Sequence, residues 1–592
     1  MGICRNFALF KASTMKLFTI IIIAALAICF DARAQSNTTS TDTLAAKIML
    51  GNYDPTAYLP TTIINNHDSI SHGVNARISP DSLHATLDIL RTFTNRNTGS
   101  DTLSSTKGIG AARRWVYSKF QQIGAANENR LIPSYLQFDL SICSIAQHRD
   151  IFAVLPGSDT TDRSVVIIEG HIDSRDSNVC DTSLAAQGIE DNGSGTALVL
   201  ELARVMSRYY YKRTIVFIVT IGEEQGLYGA QAFANYAHAT GIKINGVLNN
   251  DVVGGIICGH TSSAPSCPGY EDIDSTHVRL FSYGGFNSFH KGLSRYIKLA
   301  YNERILPIAT VPMGINIMTP EDRTGRGGDH IPFRGLNYPA MRFTAENEAG
   351  DADVASGSYT DRQHTSRDSI GIDINGDGII DSFWVDFDYL ARNAVINANA
   401  AGMMGIAPMT PDFTLSTNGV NNLVVNITTH PEYLNYKIGV RTTTNDWDSV
   451  YQFTGSLTDT LIVPLANYIV SVSSVDSNGV ESLFSEEKTA NVTAVNNIVA
   501  APKPIELLQN KPNPADEATM ISVQINDKIS YKDTYISIRD MNGKEVERTA
   551  ITLNNGINEI MYWHGYNMAG TFIYTLVIDG KTIESKRMVF TN

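Results

Sequence analysis

Hydrophobic and polar residues follow a pattern of alternating strands and helices up to about residue 405, and a pattern of short strands and turns beyond it. A Ser-Pro-Asp cap at 79–81 gives the first strong helix signal. From residue 151 onward, short apolar runs such as 165–168 and 214–221 alternate with helical stretches such as 196–206. This alternation predicts an α/β unit over 78–405, with a mainly parallel mixed sheet and helices on both faces.

The pattern then changes to short alternating strands separated by Asn-Gly and Ser-Asn-Gly turns. Residues 409–495 are predicted to form a small all-β sandwich, with Trp447 and Tyr468 as core aromatics. After a proline-rich break, residues 503–592 are predicted to form a second all-β sandwich. The segment 35–77 shows no sustained periodicity, which indicates a linker or a short pro-segment.

The N-terminus has the pattern of a secretory signal peptide, which we assign to residues 1–34. Lys16 precedes an apolar run at 17–30, and Ala-Arg-Ala at 32–34 offers small residues for cleavage before Gln35. The apolar run is short for a membrane helix. We therefore expect no stable membrane span and a protein that is secreted or held at the cell surface.

Composition narrows the classes of partner. The chain has 592 residues, a formal net charge of -14 and 43% hydrophobic residues, as folded domains do. A nucleic-acid partner would require a basic face, so none is expected. The cysteines beyond the signal peptide predict one or two disulfides in an oxidising compartment, with Cys258 and Cys267 as the favoured pair.

Acidic and imidazole side chains stand where predicted strands end or just before a helix begins. Taken singly, each has an ordinary explanation as a surface His–Asp pair, a helix cap or a solvated acid. Taken together, they can hold two divalent metals, because α/β sheets gather the carboxyl ends of their strands at one edge and zinc binds such donors. The candidate ligands are His171, Asp191, Glu224, Asp251 and His364.

Two more acids have predicted catalytic roles beside these ligands. Glu223 adjoins Glu224, and adjacent side chains at a strand end point in different directions, so one can bind metal while the other faces the substrate. Glu223 would take a proton from water and pass it to the leaving amine. Asp173 lies two residues after His171 and is predicted to accept the second N–H of that imidazole.

The combination of four short motifs resembles the M28 family of co-catalytic zinc metallopeptidases. The motifs are Gly-His-Ile-Asp at 170–173, Asp-Asn-Gly-Ser-Gly at 191–195, Gly-Glu-Glu-Gln-Gly at 222–226 and His-Thr-Ser-Arg-Asp at 364–368. The resemblance implies that Asp191 bridges two zinc ions, that His171 and Asp251 complete one site and that Glu224 and His364 complete the other. It also implies a secreted aminopeptidase in which a metal-bridging hydroxide attacks peptides and Glu223 is the general base.

One family-like segment and one departure bear on the second histidine. Gly-Asp-His at 328–330 resembles a family segment whose histidine is not a metal ligand, so His330 is expected to support the ligands or line the pocket. The family usually has a tyrosine directly before the ligand histidine, whereas this chain has Gln363. This departure alters the expected pocket wall and leaves the imidazole of His364 in place.

Other activities remain open at this stage. A glutaminyl cyclase shares the fold and most ligands but uses one zinc ion, and Asn192 and residues 226–229 look more like the peptidases. A carboxypeptidase or a dipeptidase is a further alternative. A non-catalytic surface-binding protein would be expected to lack a ligand or the base, and this chain has all six.

A second metal-binding pattern follows His364. Oxygen donors at alternate positions around a glycine are typical of a calcium loop. Trp384 stands where an EF-hand would carry its bidentate glutamate, and a turn without an ion is the alternative. The candidate calcium ligands are Asp373, Asn375, Asp377 and Asp381.

The two C-terminal modules resemble known accessory domains. Residues 409–495 resemble a fibronectin type III domain, notably at 468–472 and 475–479. The last module resembles the sorting domain of the type IX (Por) secretion system, through the segments at 509–514, 540–544 and 569–574. That resemblance implies the type IX secretion machinery as a partner, and export across both membranes.

Overall fold

The computed structural model describes residues 35–257, 273–322, 327–346, 362–418, 421–442, 445–492, 503–515, 518–527, 529–564 and 569–591. The predicted signal peptide and the favoured Cys258–Cys267 pair lie outside these residues.

The larger domain is built from helices around one sheet. Its helices are α1 (Thr43–Met49), α2 (His67–Arg77), α3 (Pro80–Thr92), α4 (Gly108–Ala126), α5 (Ser194–Met206), α6 (Tyr228–Thr240), α7 (Phe289–Ala300), α8 (His330–Gly335) and α9 (Phe387–Ile406). Its main strands are β1 (Ser36–Ser40), β2 (Ile132–Ile142), β3 (Ile145–Leu155), β4 (Ser164–His171), β5 (Thr214–Thr220), β6 (Lys243–Asn250), β7 (His277–Phe281), β8 (Gly314–Ile317) and β9 (Ala340–Ala345).

The sheet is less parallel than the sequence predicts. Its nine strands lie in the order β1-β2-β3-β5-β4-β6-β9-β7-β8. Strands β5, β4, β6 and β9 run parallel, as expected for alternating strands and helices. The β2–β3 hairpin extends the sheet antiparallel to β5, and β7 enters antiparallel to β9. The result is an evenly mixed sheet with a parallel centre.

Helices cover both faces of this sheet, as predicted. On one face, Gly405 of α9 lies against Ile215 of β5. On the other face, Phe152 of β3 packs edge-on against Phe233 of α6. Phe152 is registered with Ile218, three residues beyond Ile215, so the two contacts lie on opposite sides.

The helix predicted from the cap at 79–81 is observed as α3. The Ser79 side chain accepts the N–H of Ser82, and Pro80 occupies the first turn. Its leucines at three- and four-residue spacing face the core and are fully buried, which anchors the helix. They are Leu83, Leu87 and Leu90.

The N-terminal segment 35–77 is folded into this domain and is not an extended linker. Strand β1 pairs with β2, and Ile48 of α1 and Ile70 of α2 are buried in the same core as the sheet. Helix α1 has only 7 residues, so its apolar positions repeat too few times to be read as a period. A role as pro-segment stays a prediction.

Two smaller all-β units follow, each made of two antiparallel sheets that share a buried core. A two-stranded ribbon, β10 (Gly371–Ile372) and β11 (Ser382–Phe383), precedes them. The first unit contains β12 (Phe413–Thr417), β13 (Asn422–Ile427), β14 (Asn435–Arg441), β15 (Ser449–Thr454), β16 (Thr458–Ile462), β17 (Ala466–Val475) and β18 (Lys488–Val492). The second contains β19 (Ile505–Leu507), β20 (Ala518–Ile525), β21 (Thr534–Asp540), β22 (Glu545–Ala550), β23 (Gly556–Trp563), β24 (Gly570–Ile578) and β25 (Lys581–Phe590).

The first all-β unit is joined to α7 by buried charges. Glu487 accepts from Arg295 at 2.7 Å and from Arg441 at 2.8 Å. Tyr468 is buried as predicted, but Trp447 is only partly buried, and the Arg295 guanidinium stacks over its ring at 4.8 Å. The prediction for Trp447 was wrong because this ring serves the contact between two units instead of the core of one.

A disulfide joins Cys143, at the β2–β3 turn, to Cys180 in the loop that follows β4. The sequence-based choice of Cys258 and Cys267 did not identify this pair, because its members come together only when β2 and β4 share a sheet. In the part of the chain that the structure describes, no helix has the length and apolar character needed to cross a membrane.

Candidate metal centre

Three parallel strands end side by side and bring the residues that follow them together. His171 is the last residue of β4, Glu223 and Glu224 follow β5, and Asp251 follows β6. Because β4 lies between β5 and β6, these side chains meet at the carboxyl edge of the sheet.

Two further residues reach this edge from connecting segments. Asp191 lies just before α5, and His364 lies before α9 with a φ of 57°, in a region that residues other than glycine rarely adopt. Oδ1 of Asp191 is 3.4 Å from Nε2 of His171, and its Oδ2 is 3.0 Å from Nε2 of His364. The two oxygens of one carboxylate therefore face two different imidazoles.

The remaining acids divide between the two sides of Asp191. Oδ1 of Asp251 lies 3.5 Å from Nε2 of His171, and Oε2 of Glu224 lies 3.1 Å from Nε2 of His364. Glu223 lies farther away, with Oε2 at 3.9 Å from Nε2 of His171. The structure thus brings together all five candidate ligands and Glu223, in two groups: His171, Glu223 and Asp251, and Asp191, Glu224 and His364.

This donor set fits a pair of zinc ions. Nitrogen and oxygen ligands of tetrahedral zinc are about 3.3–3.4 Å apart, and the separations across the two histidines run from 3.0 to 3.5 Å. Buried polar atoms normally have hydrogen-bond partners. Among the described residues, Nε2 of His171, Oδ1 of Asp251 and Oε1 of Glu224 have none. Two cations would satisfy these atoms.

The surrounding carboxylates make this pocket favourable for positive charge. Burial lowers the pKa of His171, but Glu223 and the other nearby carboxylates outweigh it and raise that pKa well above its ordinary value. Burial also opposes protonation of His364, yet Glu224 and Asp191 raise its pKa to about 10. A pocket that holds protons on buried imidazoles attracts cations.

Asp173 does more than the sequence predicts. The nearest acceptor for Nδ1 of His171 is the main-chain oxygen of Asp173 at 3.0 Å, with its carboxylate at 3.5 Å. That carboxylate accepts the backbone N–H groups of Glu223 at 3.3 Å and Glu224 at 3.2 Å, and the hydroxyl of Thr98 at 3.2 Å. Asp173 therefore orients the imidazole chiefly through its backbone and the two glutamates through its side chain.

Two residues that sequence reasoning gave no role also shape the site. Arg175 donates to Oε2 of Glu224 at 2.8 Å and contacts Nδ1 of His364 at 2.6 Å. Asp368 accepts the backbone N–H of Asp191 at 3.0 Å, which fixes the turn that carries this carboxylate. Asp368 is the last residue of the motif at 364–368, so the sequence did mark its position. No sequence pattern marked Arg175, because its partners are distant along the chain.

Arg96 is a third such residue and lies beneath the site. It is fully buried and donates to the main-chain oxygens of Ile172 at 2.8 Å and Gly188 at 2.8 Å. Its guanidinium thereby joins the segment after His171 to the turn before Asp191. No periodic pattern surrounds Arg96 in the sequence, so only the fold shows this link.

His330 begins α8 and is fully buried, with Nε2 3.3 Å from the main-chain oxygen of Glu321 and Nδ1 3.9 Å from Oδ2 of Asp322. It belongs to neither group of ligand atoms found among the described residues. Gln363, directly before His364, is 3% exposed and therefore buried.

The predicted calcium loop is an exposed turn between β10 and β11. Asp373 accepts the backbone N–H groups of Gly376 and Gly378, and Asp381 accepts that of Ile374. The loop lies outside the two groups of ligand atoms found in the described chain. Calcium binding stays a prediction.

Comparisons with known proteins agree with this chemistry. The model of peptidase family M28 matches residues 150–259. A probable zinc metalloprotease of Leptosphaeria maculans is 32% identical over 359 residues, which cover 58% of this chain and 79% of that protein. Another, from Phaeosphaeria nodorum, is 31% identical over 62% of this chain and 74% of its own length. A solved structure with a weaker likeness is the LapA aminopeptidase of Legionella pneumophila, which is 18% identical over 59% of this chain and 76% of its own, with a TM-score of 0.42.

Proposed function

This chain belongs to peptidase family M28, and we propose that it is an exported zinc aminopeptidase that removes N-terminal residues from peptides. One observation carries the proposal. The two oxygens of Asp191 face imidazoles from separate parts of the chain, at 3.4 Å and 3.0 Å. A carboxylate in this position can be shared by two cations.

Two zinc ions would be held by sets that share Asp191. His171 and Asp251 would complete one set, and Glu224 and His364 the other. When bound, zinc polarises a carbonyl oxygen and lowers the pKa of water toward about 7.

Glu223 would move the protons of the reaction. It belongs to the side of the site that carries His171, yet it lies farther from Nε2 of His171 than Asp191 and Asp251 do. A water molecule would give a proton to Glu223 while the oxygen of that water bonds to the scissile carbonyl carbon. Glu223 would then give a proton to the amine nitrogen as the C–N bond breaks.

The same site favours a substrate with a free amino terminus. Asp191, Glu223, Glu224 and Asp251 place four carboxylates, each with a side chain 11% exposed or less, close together in this site. Asp191, Asp251 and Glu224 would be neutralised by the zinc ions, which leaves Glu223 as the carboxylate that can attract a substrate ammonium group, whereas an acylated nitrogen carries no charge to attract. The N-terminal signal pattern and the sorting-domain resemblance support export, and peptides outside the cell would be its substrates.

Activity on paired substrates tests this proposal. We expect cleavage of aminoacyl anilides and short peptides, and little cleavage of the same compounds after N-acetylation. Comparable rates on free and acetylated compounds would overturn the aminopeptidase assignment. Conversion of N-terminal glutamine without cleavage would indicate a cyclase instead.

Variants separate the base from the ligands. A Glu223→Gln enzyme should keep two zinc ions and lose about 10²–10⁴-fold in kcat, which is the usual contribution of a general base. A Glu224→Gln enzyme is the matched comparison and should lose zinc. An active E223Q enzyme would contradict the role of Glu223.

Export is tested by a separate experiment, the N-terminal sequence of protein from the culture medium, which should begin at Gln35.

A further inference from the structure

A buried arginine lies directly behind the candidate metal centre. Arg342 is on β9 and is registered with Asn249 of the neighbouring β6, two residues before Asp251. Its side chain is fully buried, and Nη2 lies 3.0 Å from Oδ2 of Asp251. The same nitrogen is 3.4 Å from the main-chain oxygen of Asp251. The guanidinium thus holds one candidate ligand by both its carboxylate and its backbone.

The other side of Arg342 is held as firmly. Its Nη1 donates to Oδ1 of Asp322 at 3.0 Å and to the main-chain oxygen of Gly327 at 3.1 Å. Gly328 leaves room for the stem, because a Cβ there would stand 3.0 Å from Cδ of Arg342. Gly328, the first residue of the Gly-Asp-His segment at 328–330, therefore packs against Arg342.

This arrangement gives the two oxygens of Asp251 different duties. Oδ2 is occupied by Arg342, whereas Oδ1 is 3.5 Å from Nε2 of His171 and has no hydrogen-bond partner among the described residues. A carboxylate fixed in this way offers a single oxygen to a cation. Without the guanidinium, the group could turn about its Cβ–Cγ bond and offer both oxygens or neither.

We propose that Arg342 is a positioning residue that makes Asp251 a one-oxygen ligand and so sets the affinity of the metal site on the His171 side. The inference rests on the proposed function, because it assigns Asp251 to a zinc ion. Groups that orient metal ligands typically change metal affinity by about 10–100-fold when they are altered. Glu224 and His364 would complete the site on the other side, and the contacts described above for Arg342 are to neither of them. The zinc affinity of that site should therefore stay unchanged.

Metal titration of the full mature chain tests this inference without using activity. Protein stripped with a chelator is titrated with zinc against a chromophoric chelator, which yields a dissociation constant for each ion. Arg342→Lys and Arg342→Met should weaken one of the two constants by about 10–100-fold and leave the other unchanged. In a His364→Ala background, where the His171 side is the remaining site, the same substitution should weaken the remaining constant.

Arg279 provides the matched control. It is also fully buried, on the adjacent strand β7, and donates to the main-chain oxygen of Ala345 at 3.2 Å. Arg279→Lys and Arg279→Met should change the melting temperature without changing either zinc constant. Equal losses of zinc affinity in the Arg279 and Arg342 variants would show a general effect of buried charge and would overturn the inference.

Gly328→Ala covers the case in which the Arg342 variants do not fold. It keeps every charge and crowds the Arg342 stem, together with Oδ1 of Asn249 and Nδ1 of His330, which would each stand 3.2 Å from the new Cβ. A weakened single zinc constant supports the inference, and two unchanged constants in a folded G328A protein overturn it. Failure of the proposed function would look different, because the unaltered protein would then fail to bind two zinc ions. An unaltered protein that binds two zinc ions, with R342M binding them equally well, would refute the role of Arg342 alone.

Discussion

Replacing Asp173 with asparagine should displace Glu223 and Glu224 in the candidate active site while leaving the imidazole of His171 in place. The Asp173 carboxylate is fully buried and accepts from the backbone of Glu223 and of Glu224, and from Thr98. An asparagine side chain has the same shape but only one acceptor oxygen. Its amide N–H₂ would then stand against a backbone N–H, donor against donor.

The expected loss of stability follows from those contacts. Asp173→Asn removes at least one hydrogen bond to a charged group and leaves one buried N–H without an acceptor, each about 1.5 kcal/mol, or about 3 kcal/mol together. His171 still donates to the main-chain oxygen of residue 173, so zinc on the His171 side should be retained. Displacement of Glu224 should weaken zinc binding on the His364 side. Displacement of Glu223 by about 1 Å should lower kcat by about 10²-fold.

Denaturant unfolding, zinc content and kcat on an aminoacyl anilide measure these effects separately. Asp176→Asn is the matched control, because Asp176 lies in the same loop and the hydrogen bonds described for its side chain come from Ser177 to a single oxygen, Oδ1, which asparagine keeps. That control should change stability by about 1 kcal/mol or less. A D173N enzyme with a normal kcat would refute the positioning of Glu223 by Asp173. Equal losses in D176N would attribute them to the loop as a whole.

The remaining predictions concern the cross-links, the unit interface and the metal. Cys143→Ser should cost about 3–4 kcal/mol in denaturant unfolding, because the disulfide closes a loop with a sequence separation of 37; an unchanged midpoint would contradict this. Glu487→Gln should cost about 3–5 kcal/mol, since it leaves Arg295 and Arg441 buried beside a neutral group. Burial raises the pKa of Glu487, but the two arginines outweigh it and hold that pKa below 4.5. The contribution of ionised Glu487 to the free energy of unfolding is therefore complete above pH 4.5 and is lost as pH falls through the depressed pKa. Unfolding curves measured over a pH series should show this loss in the unaltered protein, and E487Q should lack it. Chelator treatment should lower the melting temperature, and zinc should restore it, because buried carboxylates that face one another lose their counter-cations.

Local patterns were enough to predict much of this site. The strands that lead to His171, Glu223 and Asp251 contain apolar runs, and each acid or imidazole follows its run within three residues, so the sequence indicated which residues would share an edge. The cap at 79–81 likewise predicted helix α3. The predictions that were wrong or incomplete, for Trp447, for the parallel character of the sheet and for segment 35–77, all concern how elements pack and not whether they form.

By itself, the sequence determined the predicted chemistry of this site: which side chains are candidate metal ligands, which acid is the candidate base, and which strands deliver them. Only the tertiary structure decided the partners. Arg342 reaches Asp251 across 91 residues, and Arg175 meets His364 across 189. These contacts depend on the strand order β5-β4-β6-β9 and on the loops above it. Strand order is set by long-range burial of both sheet faces, and a period of two or of 3.6 residues carries no information about it.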